Sequence, residues 1–142
     1  MTELVVFDTN IWISGLLWRG KPYQCLVLAR ARVVQAVHCD TMVAELAQKL
    51  REPFGFSENH IRGVLYDLRR ISESVEITGD LRVIDADPDD DKFVECALAA
   101  GASLIVSGDH HLLDLGEYKG VRIVSAAEFV ARFTTPAQTV EE

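Results

Sequence analysis

The sequence lacks the features of several protein classes. It has only three cysteines in 142 residues, and Cys25, Cys39 and Cys96 are widely spaced. Their odd number and spacing indicate buried, reduced thiols rather than a disulfide framework or a zinc site. No apolar run approaches the roughly 18 residues that a membrane-spanning helix needs. The first residues, Met1-Thr2-Glu3, place no basic segment ahead of the apolar stretch that follows. We therefore expect a cytoplasmic protein with neither a signal peptide nor a membrane partner.

Positive charge is also scarce. Lysine and arginine number 14 against 22 acidic residues, which gives a formal net charge of −8. This balance does not suggest a protein that covers nucleic acid by charge alone. A bound divalent cation would change the local sign, so nucleic acid stays open as a partner. The chain is 49% apolar and 25% charged. Composition and length together exclude a disordered chain and predict one compact domain.

Short apolar runs alternate with helical stripes along the chain. Leu4–Phe7 and Leu104–Val106 are continuous apolar runs, typical of strands that are buried on both faces. Further strands are predicted at 33–37 and 121–124, with extended pieces at 74–77 and 82–84. Strands separated by helices indicate an α/β fold, a central parallel sheet of four to five strands flanked by helices on both faces. We assign residues 1–133 to this domain and 134–142 to a flexible tail, because the tail lacks core-forming side chains.

Capping signals predict where the helices begin and end. Asn10 is placed to cap the helix that follows the first strand. Further signals predict a helix that begins near Asp40 and ends before Pro53, and a helix that ends at Gly101. Ser125 and Glu128 form a capping box that begins the last helix.

Acidic side chains follow the strands or open the helices next to them. Asp8 comes directly after the first strand, and Asp109 follows the strand at 104–106. The neighbouring acids are Glu45, in the first turns of a helix, and Asp90 and Asp91, at the start of another. In parallel sheets, ligands bind beyond the carboxyl ends of the strands. We therefore expect all five acids to converge at one edge of the sheet.

Such a cluster needs something to offset its charge. Two unit charges about 4 Å apart repel by roughly 4 kcal/mol at the effective dielectric of a protein surface. Raised pKa values, basic partners or a divalent cation can offset this repulsion. Oxygen-only ligands suit Mg²⁺ or Mn²⁺. Taken singly, each acid has an ordinary structural role as a turn residue, a helix cap or an ion-pair partner, but their joint placement favours a metal site.

The order of the acidic motifs resembles that of PIN-domain proteins, in particular the prokaryotic toxin-type branch related to VapC-like toxins. The motifs are Asp8-Thr9-Asn10, Met42-Val43-Ala44-Glu45-Leu46, Asp87-Pro88-Asp89-Asp90-Asp91-Lys92-Phe93 and Ile105-Val106-Ser107-Gly108-Asp109-His110-His111-Leu112-Leu113. The resemblance runs from about Leu4 to Phe133. It implies an endoribonuclease that uses one or two Mg²⁺ or Mn²⁺ ions, often the toxin of a toxin–antitoxin pair and often a homodimer. RNA and an antitoxin protein are the implied partners.

The resemblance also implies roles for individual residues. Asp8, Glu45 and Asp109 match family acids, and the remaining metal-binding position fits either Asp90 or Asp91. Thr9, Asn10 and Ser107 are expected to orient the ligand carboxylates or a water molecule. Substrate contacts are expected from Arg19 and Lys21, and Lys92 either contacts phosphate or balances its acidic neighbours. Of the adjacent His110 and His111, at most one can face the site as a general acid, because neighbours on a short helix point in different directions.

Two other functions remain open at this stage. One is a PIN module that binds nucleic acid or a protein partner without catalysis. The other is a receiver-like signalling domain, which would accept phosphate on one Asp. A receiver would need paired acids after the first strand and a lysine after a late strand. The motifs at Asp8-Thr9-Asn10 and Asp109-His110-His111 supply neither, and this favours the nuclease.

Overall fold

The computed structural model describes residues 2–134, which form a six-stranded sheet with helices on both faces. The strands are β1 Glu3–Phe7, β2 Val34–His38, β3 Ser72–Ser74, β4 Leu104–Val106, β5 Glu117–Tyr118 and β6 Val121–Val124. The helices are α1 Thr9–Leu17, α2 Lys21–Arg30, α3 Asp40–Arg51, α4 Glu58–Ile71, α5 Asp91–Ala100, α6 His110–Leu115 and α7 Ala126–Phe133, and a 3₁₀ turn covers Pro88–Asp90. The strand order is β3-β2-β1-β4-β6-β5.

The predicted α/β class is confirmed, and the strand count is corrected from four to five to six. Five strands are parallel, and β5 pairs antiparallel with β6 at the edge. The strand β5 has only two residues and contains no apolar run from which it could have been predicted. The extended piece predicted at 74–77 is instead a strand at Ser72–Ser74, and the piece at 82–84 is not a strand. Residues 135–142, most of the predicted tail, lie outside the described residues.

The helix limits follow the capping signals with one exception. Asn10 is not the cap of α1, because Asp8 occupies that position with an extended backbone, and its Oδ1 accepts a hydrogen bond from the Ile11 N–H at 2.8 Å. Asn10 instead lies within the first turn. The predicted ends of α3, the left-handed Gly101 after α5 and the capping box before α7 are confirmed. Within 2–134, no helix has the length and apolar character needed to span a membrane.

Two apolar layers lie on opposite faces of the sheet. Side chains of a strand alternate between its faces, so Val5 and Phe7 of β1 pack with α1, α2, α3, α4 and α7, whereas Val6 packs with α5 and α6. The Phe7 ring makes edge contacts with Trp12 and Phe129 at centroid distances of 5.6 and 5.7 Å. All three cysteines are buried and free, as predicted.

The centre of the sheet brings the two halves of the chain together. β1 pairs with β2 on one side and with β4 on the other, with Phe7 opposite Val106. The Asp8 N–H extends this pairing by donating to the Val106 carbonyl at 3.1 Å. From β1 the sheet continues to β2 and β3 on one side and to β4 and β6 on the other, so the strand order reverses between β1 and β4. Ligands bind at such a point in open α/β folds. Asp8 and the Ser107–Asp109 segment meet at this point.

Candidate metal centre

A pocket of about 340 Å³ opens at the carboxyl ends of β1 and β4. We call it the acidic pocket, because six acidic residues line it with one lysine, Lys49. The acids are Asp8, Glu45, Asp87, Asp89, Asp90 and Asp109. The structure thus brings together four of the five acids singled out from the sequence. Two groups of side chains at this pocket differ in bonding. The Asp8 side consists of Asp8, Thr9 and Glu45 with Ser107 behind them, and the His111 side consists of Asp87, Asp90 and Asp109 with the adjacent His111.

On the Asp8 side, both carboxylate oxygens of Asp8 already have partners. Besides the Ile11 N–H on Oδ1, the Ser107 hydroxyl donates to Oδ2 at 2.5 Å. The Ser107 Oγ in turn accepts from the Asp109 N–H at 2.9 Å. Burial raises the pKa of Asp8, and the nearby negative charge of Asp109 adds to the rise, while the hydrogen bonds from Ser107 and Ile11 oppose it. The cap and the hydroxyl together fix this carboxylate.

Glu45 is held from three directions. The Thr9 hydroxyl donates to Oε1 at 2.5 Å, and Lys92 Nζ donates to Oε2 at 3.2 Å. Lys49, one helical turn along α3, places its Nζ 3.9 Å from the same oxygen. Lys92 also donates to the Asp89 carbonyl at 2.5 Å. The Lys92 ammonium thus binds acidic and backbone groups of the protein itself, which is one of the two roles that the sequence left open for it.

On the His111 side, Asp90 carries an oxygen with no protein partner. The residue is only 8% exposed, and Oδ2 is buried without a hydrogen bond. Burial and the neighbouring Asp109 carboxylate raise the pKa of Asp90 to about 8. The hydrogen bond from Asp90 is the main cause that lowers the pKa of Asp109. Near neutral pH the two carboxylates thus hold one proton between them.

His111 lies next to the carboxylates of this side, although it lines a neighbouring pocket rather than the acidic pocket itself. Its Nδ1 lies 3.5 Å from Asp109 Oδ1 and 3.9 Å from Asp87 Oδ2. This nitrogen is buried and has no hydrogen-bond partner. One donor atom from each of Asp87, Asp90, Asp109 and His111 falls within 4.8 Å of all the others. The structure therefore gathers three carboxylates and one imidazole within a few ångströms.

Asp91 lies outside the acidic pocket. It is only 4% exposed, and its Oδ1 accepts hydrogen bonds from the backbone N–H groups of Val83 and Ile84 at 3.1 and 2.8 Å. The 3₁₀ turn ends at Asp90 and α5 begins at Asp91. The Asp91 carboxylate is thus directed towards the Val83 and Ile84 amides rather than into the pocket. Of the two positions that the sequence left open, the structure places Asp90 in the acidic pocket.

Glu95, one turn further along α5, makes similar contacts. Its carboxylate accepts from the backbone N–H groups of Thr78, Gly79 and Leu81 at 2.9, 3.2 and 3.4 Å, and from the Thr78 hydroxyl at 2.8 Å. With Asp91, it ties residues 78–84 to α5, and we call this segment the strap. The strap leads directly to Asp87, so it fixes the approach of the chain to the acidic pocket.

The remaining predicted residues differ in their placement. Thr9 and Ser107 contact Glu45 and Asp8 as described, and Asn10 lines the acidic pocket. Arg19 lies over the Tyr23 ring with its guanidinium carbon 4.9 Å from the centroid, and Lys21 is the first residue of α2. Neither of these two cations lines the acidic pocket.

The sequence reasoning did not identify Asp87 and Asp89 as pocket residues and considered His111 only as a general acid. The pattern Asp87-Pro88 indicated a turn, which is correct, but it gave no sign that the turn folds back over the strand ends. The proximity of His111 to Asp109 in sequence was the available signal for its place beside the carboxylates.

The donor set fits a divalent cation. Carboxylate oxygens and an imidazole nitrogen are common ligands of such ions, and Asp90 Oδ2 is a buried oxygen that no protein group satisfies. Burial first, and then the neighbouring Asp109 carboxylate, raises the pKa of Asp90, and a bound cation would oppose both effects. The residues whose donor atoms lie close enough to share an ion are Asp87, Asp90, Asp109 and His111, and Asp8 lines the pocket that Asp90 and Asp109 also line.

Comparisons with known proteins place this arrangement in a family. The fold is similar to VapBC2 from Rickettsia felis, solved bound to a DNA fragment from their promoter, with a TM-score of 0.60 and 13% identity over 86% of this chain and 98% of that one. It is also similar to the T. brucei RRP44 PIN domain, with a TM-score of 0.54 and 12% identity over 99% of this chain and 86% of that one. No curated protein matches the sequence. The sequence model of the PIN domain matches residues 4–111. The chain belongs to the PIN domain family.

Proposed function

We propose that this protein is an endoribonuclease that depends on Mg²⁺ or Mn²⁺ and serves as the toxin of a toxin–antitoxin pair. The observation that carries the proposal is the unpartnered, buried oxygen of Asp90, in one pocket with Asp8, Glu45 and Asp109 at the ends of β1 and β4. PIN domains are generally nucleases, which supports the assignment to this reaction class. The fold likeness to VapBC2 supports the toxin assignment that the motifs imply.

The proposed ligands of one or two ions are Asp8, Asp90 and Asp109. A bound ion supplies Lewis-acid stabilisation of phosphate charge and a water of lowered pKa. Asp8 is held ready by its helix cap and by the Ser107 hydroxyl. Asp90 and Asp109 share a proton near neutral pH, so protonation competes with cation binding at these two groups. Asp91 is left out of the proposed set because its Oδ1 binds the Val83 and Ile84 amides.

Glu45 serves beside the proposed ligands rather than as a free base. Both of its oxygens have partners, Thr9 on Oε1 and Lys92 on Oε2. These contacts fix the carboxylate against the acidic pocket, where it can orient a water molecule or an ion ligand. Thr9 is therefore a positioning residue for Glu45, as Ser107 is for Asp8.

RNA contact by protein cations is proposed at the turn between α1 and α2, where Arg19 and Lys21 lie. Trp18 precedes them and is 59% exposed, and its ring meets Phe54 edge-on at 6.4 Å. An exposed indole beside two cations suits an unpaired base and its phosphate. We also propose a cytoplasmic homodimer that an antitoxin protein inhibits, as the toxin assignment implies.

Cleavage of total cellular RNA tests the proposal. The natural protein, Asp8→Asn and a control, Asp80→Asn, are compared with Mn²⁺ and with a chelator. Asn can still cap α1, so Asp8→Asn is expected to fold and to lose cleavage. Asp80 is exposed and does not line the acidic pocket, so its variant should cleave normally. Equal cleavage by all three proteins, or cleavage that resists the chelator, would contradict a metal nuclease at this pocket. Metal binding without cleavage would favour a non-catalytic PIN module.

A further inference from the structure

The His111 imidazole presents a buried nitrogen, Nδ1, that no protein group satisfies. Buried polar atoms nearly always have a hydrogen-bond partner, so an orphan atom calls for an explanation. The nearest groups are carboxylate oxygens of Asp109 and Asp87, at 3.5 and 3.9 Å. These distances are too long for hydrogen bonds. They are the spacing of atoms that share an ion.

The distances fit a single coordination shell. At metal–ligand distances of about 2.1 Å, neighbouring ligands of an octahedral ion lie about 3 Å apart and opposite ligands about 4.2 Å apart. The donor atoms of Asp87, Asp90, Asp109 and His111 lie within 4.8 Å of one another, so small adjustments would bring all four to one ion. The unpartnered Oδ2 of the buried Asp90 is a second, independent sign of a missing ligand at this place.

We infer that His111 is a metal ligand and that Asp87, Asp90, Asp109 and His111 form a site that prefers Mn²⁺ to Mg²⁺. The chemical reason is the nitrogen donor. Imidazole suits first-row transition metals, whereas Mg²⁺ takes oxygen ligands almost exclusively. The inference rests on the proposed function only in placing an ion in the acidic pocket. It adds two ligands to the proposed set and a preference between the two ions that the carboxylates alone leave open.

His110 is the alternative nitrogen donor and a natural control. Its ring lies against that of His111, with centroids 4.1 Å apart, and its Nδ1 is 3.9 Å from Asp109 Oδ1. The His110 side chain is 77% exposed, against 32% for His111. It joins a possible ligand group with Asp109 and His111 but not one with Asp87 and Asp90. The less exposed ring, that of His111, is therefore the one placed beside three carboxylates.

Electron paramagnetic resonance of the intact protein loaded with Mn²⁺ alone tests the inference without using activity. Pulsed measurements detect ¹⁴N coupling when an imidazole binds Mn²⁺. We expect this coupling in the natural protein and in His110→Gln, and its loss in His111→Gln. Loss of the free Mn²⁺ signal on titration gives the affinity, and competition with Mg²⁺ gives the affinity for that ion. His111→Gln should weaken Mn²⁺ binding about tenfold and change Mg²⁺ binding much less.

The outcomes separate this inference from the proposed function. Mn²⁺ binding without nitrogen coupling in the natural protein, or coupling that His110→Gln removes, would overturn the His111 assignment and leave a nuclease with oxygen ligands. An equal loss of Mn²⁺ and Mg²⁺ affinity in His111→Gln would overturn the metal preference. Nitrogen coupling from His111 in a protein that cleaves no RNA would support the site and contradict the nuclease. Failure of the natural protein to bind Mn²⁺ would contradict both.

Discussion

The two sides of the acidic pocket carry similar charge but differ in how it is satisfied. On the Asp8 side, hydroxyl, amide and ammonium donors bind every carboxylate oxygen of Asp8 and Glu45. On the His111 side, Asp90 and His111 each keep a buried polar atom without a partner. One side is thus pre-organised by the protein, and the other keeps two buried polar atoms unpaired. Under the proposed function, this contrast favours an ion on the His111 side, with Asp8 held in a fixed position in the same pocket.

Removing the Asp90 carboxylate is the most severe test of this contrast. We expect Asp90→Asn to lower the rate of RNA cleavage with Mn²⁺ by at least about 100-fold, because the ion loses a charged ligand worth several kcal/mol. The fold should persist, since an amide replaces a carboxylate that is costly to bury. Single-turnover cleavage at saturating Mn²⁺ measures the effect. A loss below about tenfold would mean that the ion depends on other groups.

Asp91, the adjacent residue, should affect stability instead. Asp91→Ala leaves the N–H groups of Val83 and Ile84 without their acceptor, and each buried unpaired donor costs about 1–3 kcal/mol. We expect the free energy of unfolding to fall by about 2–4 kcal/mol, from urea titration. Asp91→Asn keeps an accepting oxygen and should lose less. Mn²⁺ affinity of the folded Asp91 variants should stay near normal, and a selective loss of affinity would make Asp91 a ligand after all.

Ser107 tests whether pre-organisation of the Asp8 side matters for catalysis. In Ser107→Ala, Asp8 loses the hydrogen bond that lowers its pKa, so a higher pH is needed to keep it ionised. Cleavage at neutral pH should fall about tenfold, as is typical when a group that orients a metal ligand is removed, and should recover partly as the pH rises. Ser103→Ala is the matched control, because Ser103 precedes β4 at the end opposite to Ser107. A uniform loss at every pH would point to simple structural damage.

The smallest predicted effect is on the stability of the ion-free protein. The pKa of Asp90 is about 8 in the folded protein, well above the value in the unfolded chain. At a pH between these two pKa values, folding is therefore accompanied by uptake of a proton. The contribution of Asp90 to the free energy of unfolding is greatest at low pH, falls as the pH rises and is lost once the pH has passed 8. We expect a loss of about 1 kcal/mol between pH 7 and 8, seen as a lower melting temperature. Asp90→Asn should lose less over the same interval, and saturating Mn²⁺ should reverse the trend.

The sequence predicted the parts of the site that follow from topology. A buried strand delivers the next residue to the sheet edge, so Asp8 and Asp109 could be placed together from apolar runs alone. The choice between Asp90 and Asp91 could not be made from the sequence, because it depends on where the 3₁₀ turn becomes α5. The strand β5 could not be predicted either, because it consists of two residues that pair with β6. The ion pair of Lys92 could not be predicted because its partner, Glu45, is 47 positions away in sequence.

Asp87 and His111 were missed as partners for a related reason. Their meeting requires the strap to run along α5 from Glu95 to Asp91 and so reach the ends of the strands, and irregular segments carry no periodic signal. Asn10 was assigned the cap of α1 for a simpler reason, since both Asp and Asn are good caps and the helix begins two residues earlier than the pattern suggested.

The strap also bears on how related sequences can diverge. Glu95 and Asp91 bind it through main-chain N–H groups, and the Thr78 hydroxyl is the only strap side chain among these contacts. Any amino acid except proline, which lacks a backbone N–H, can make such a hydrogen bond. Ile84 is buried, and Leu81 and Val83 pack against the same core, so these positions need apolar side chains, whereas the exposed Asp80 and Arg82 can change as long as α5 retains its two carboxylates. The strap thus combines a fixed apolar side with an exposed side that is open to substitution.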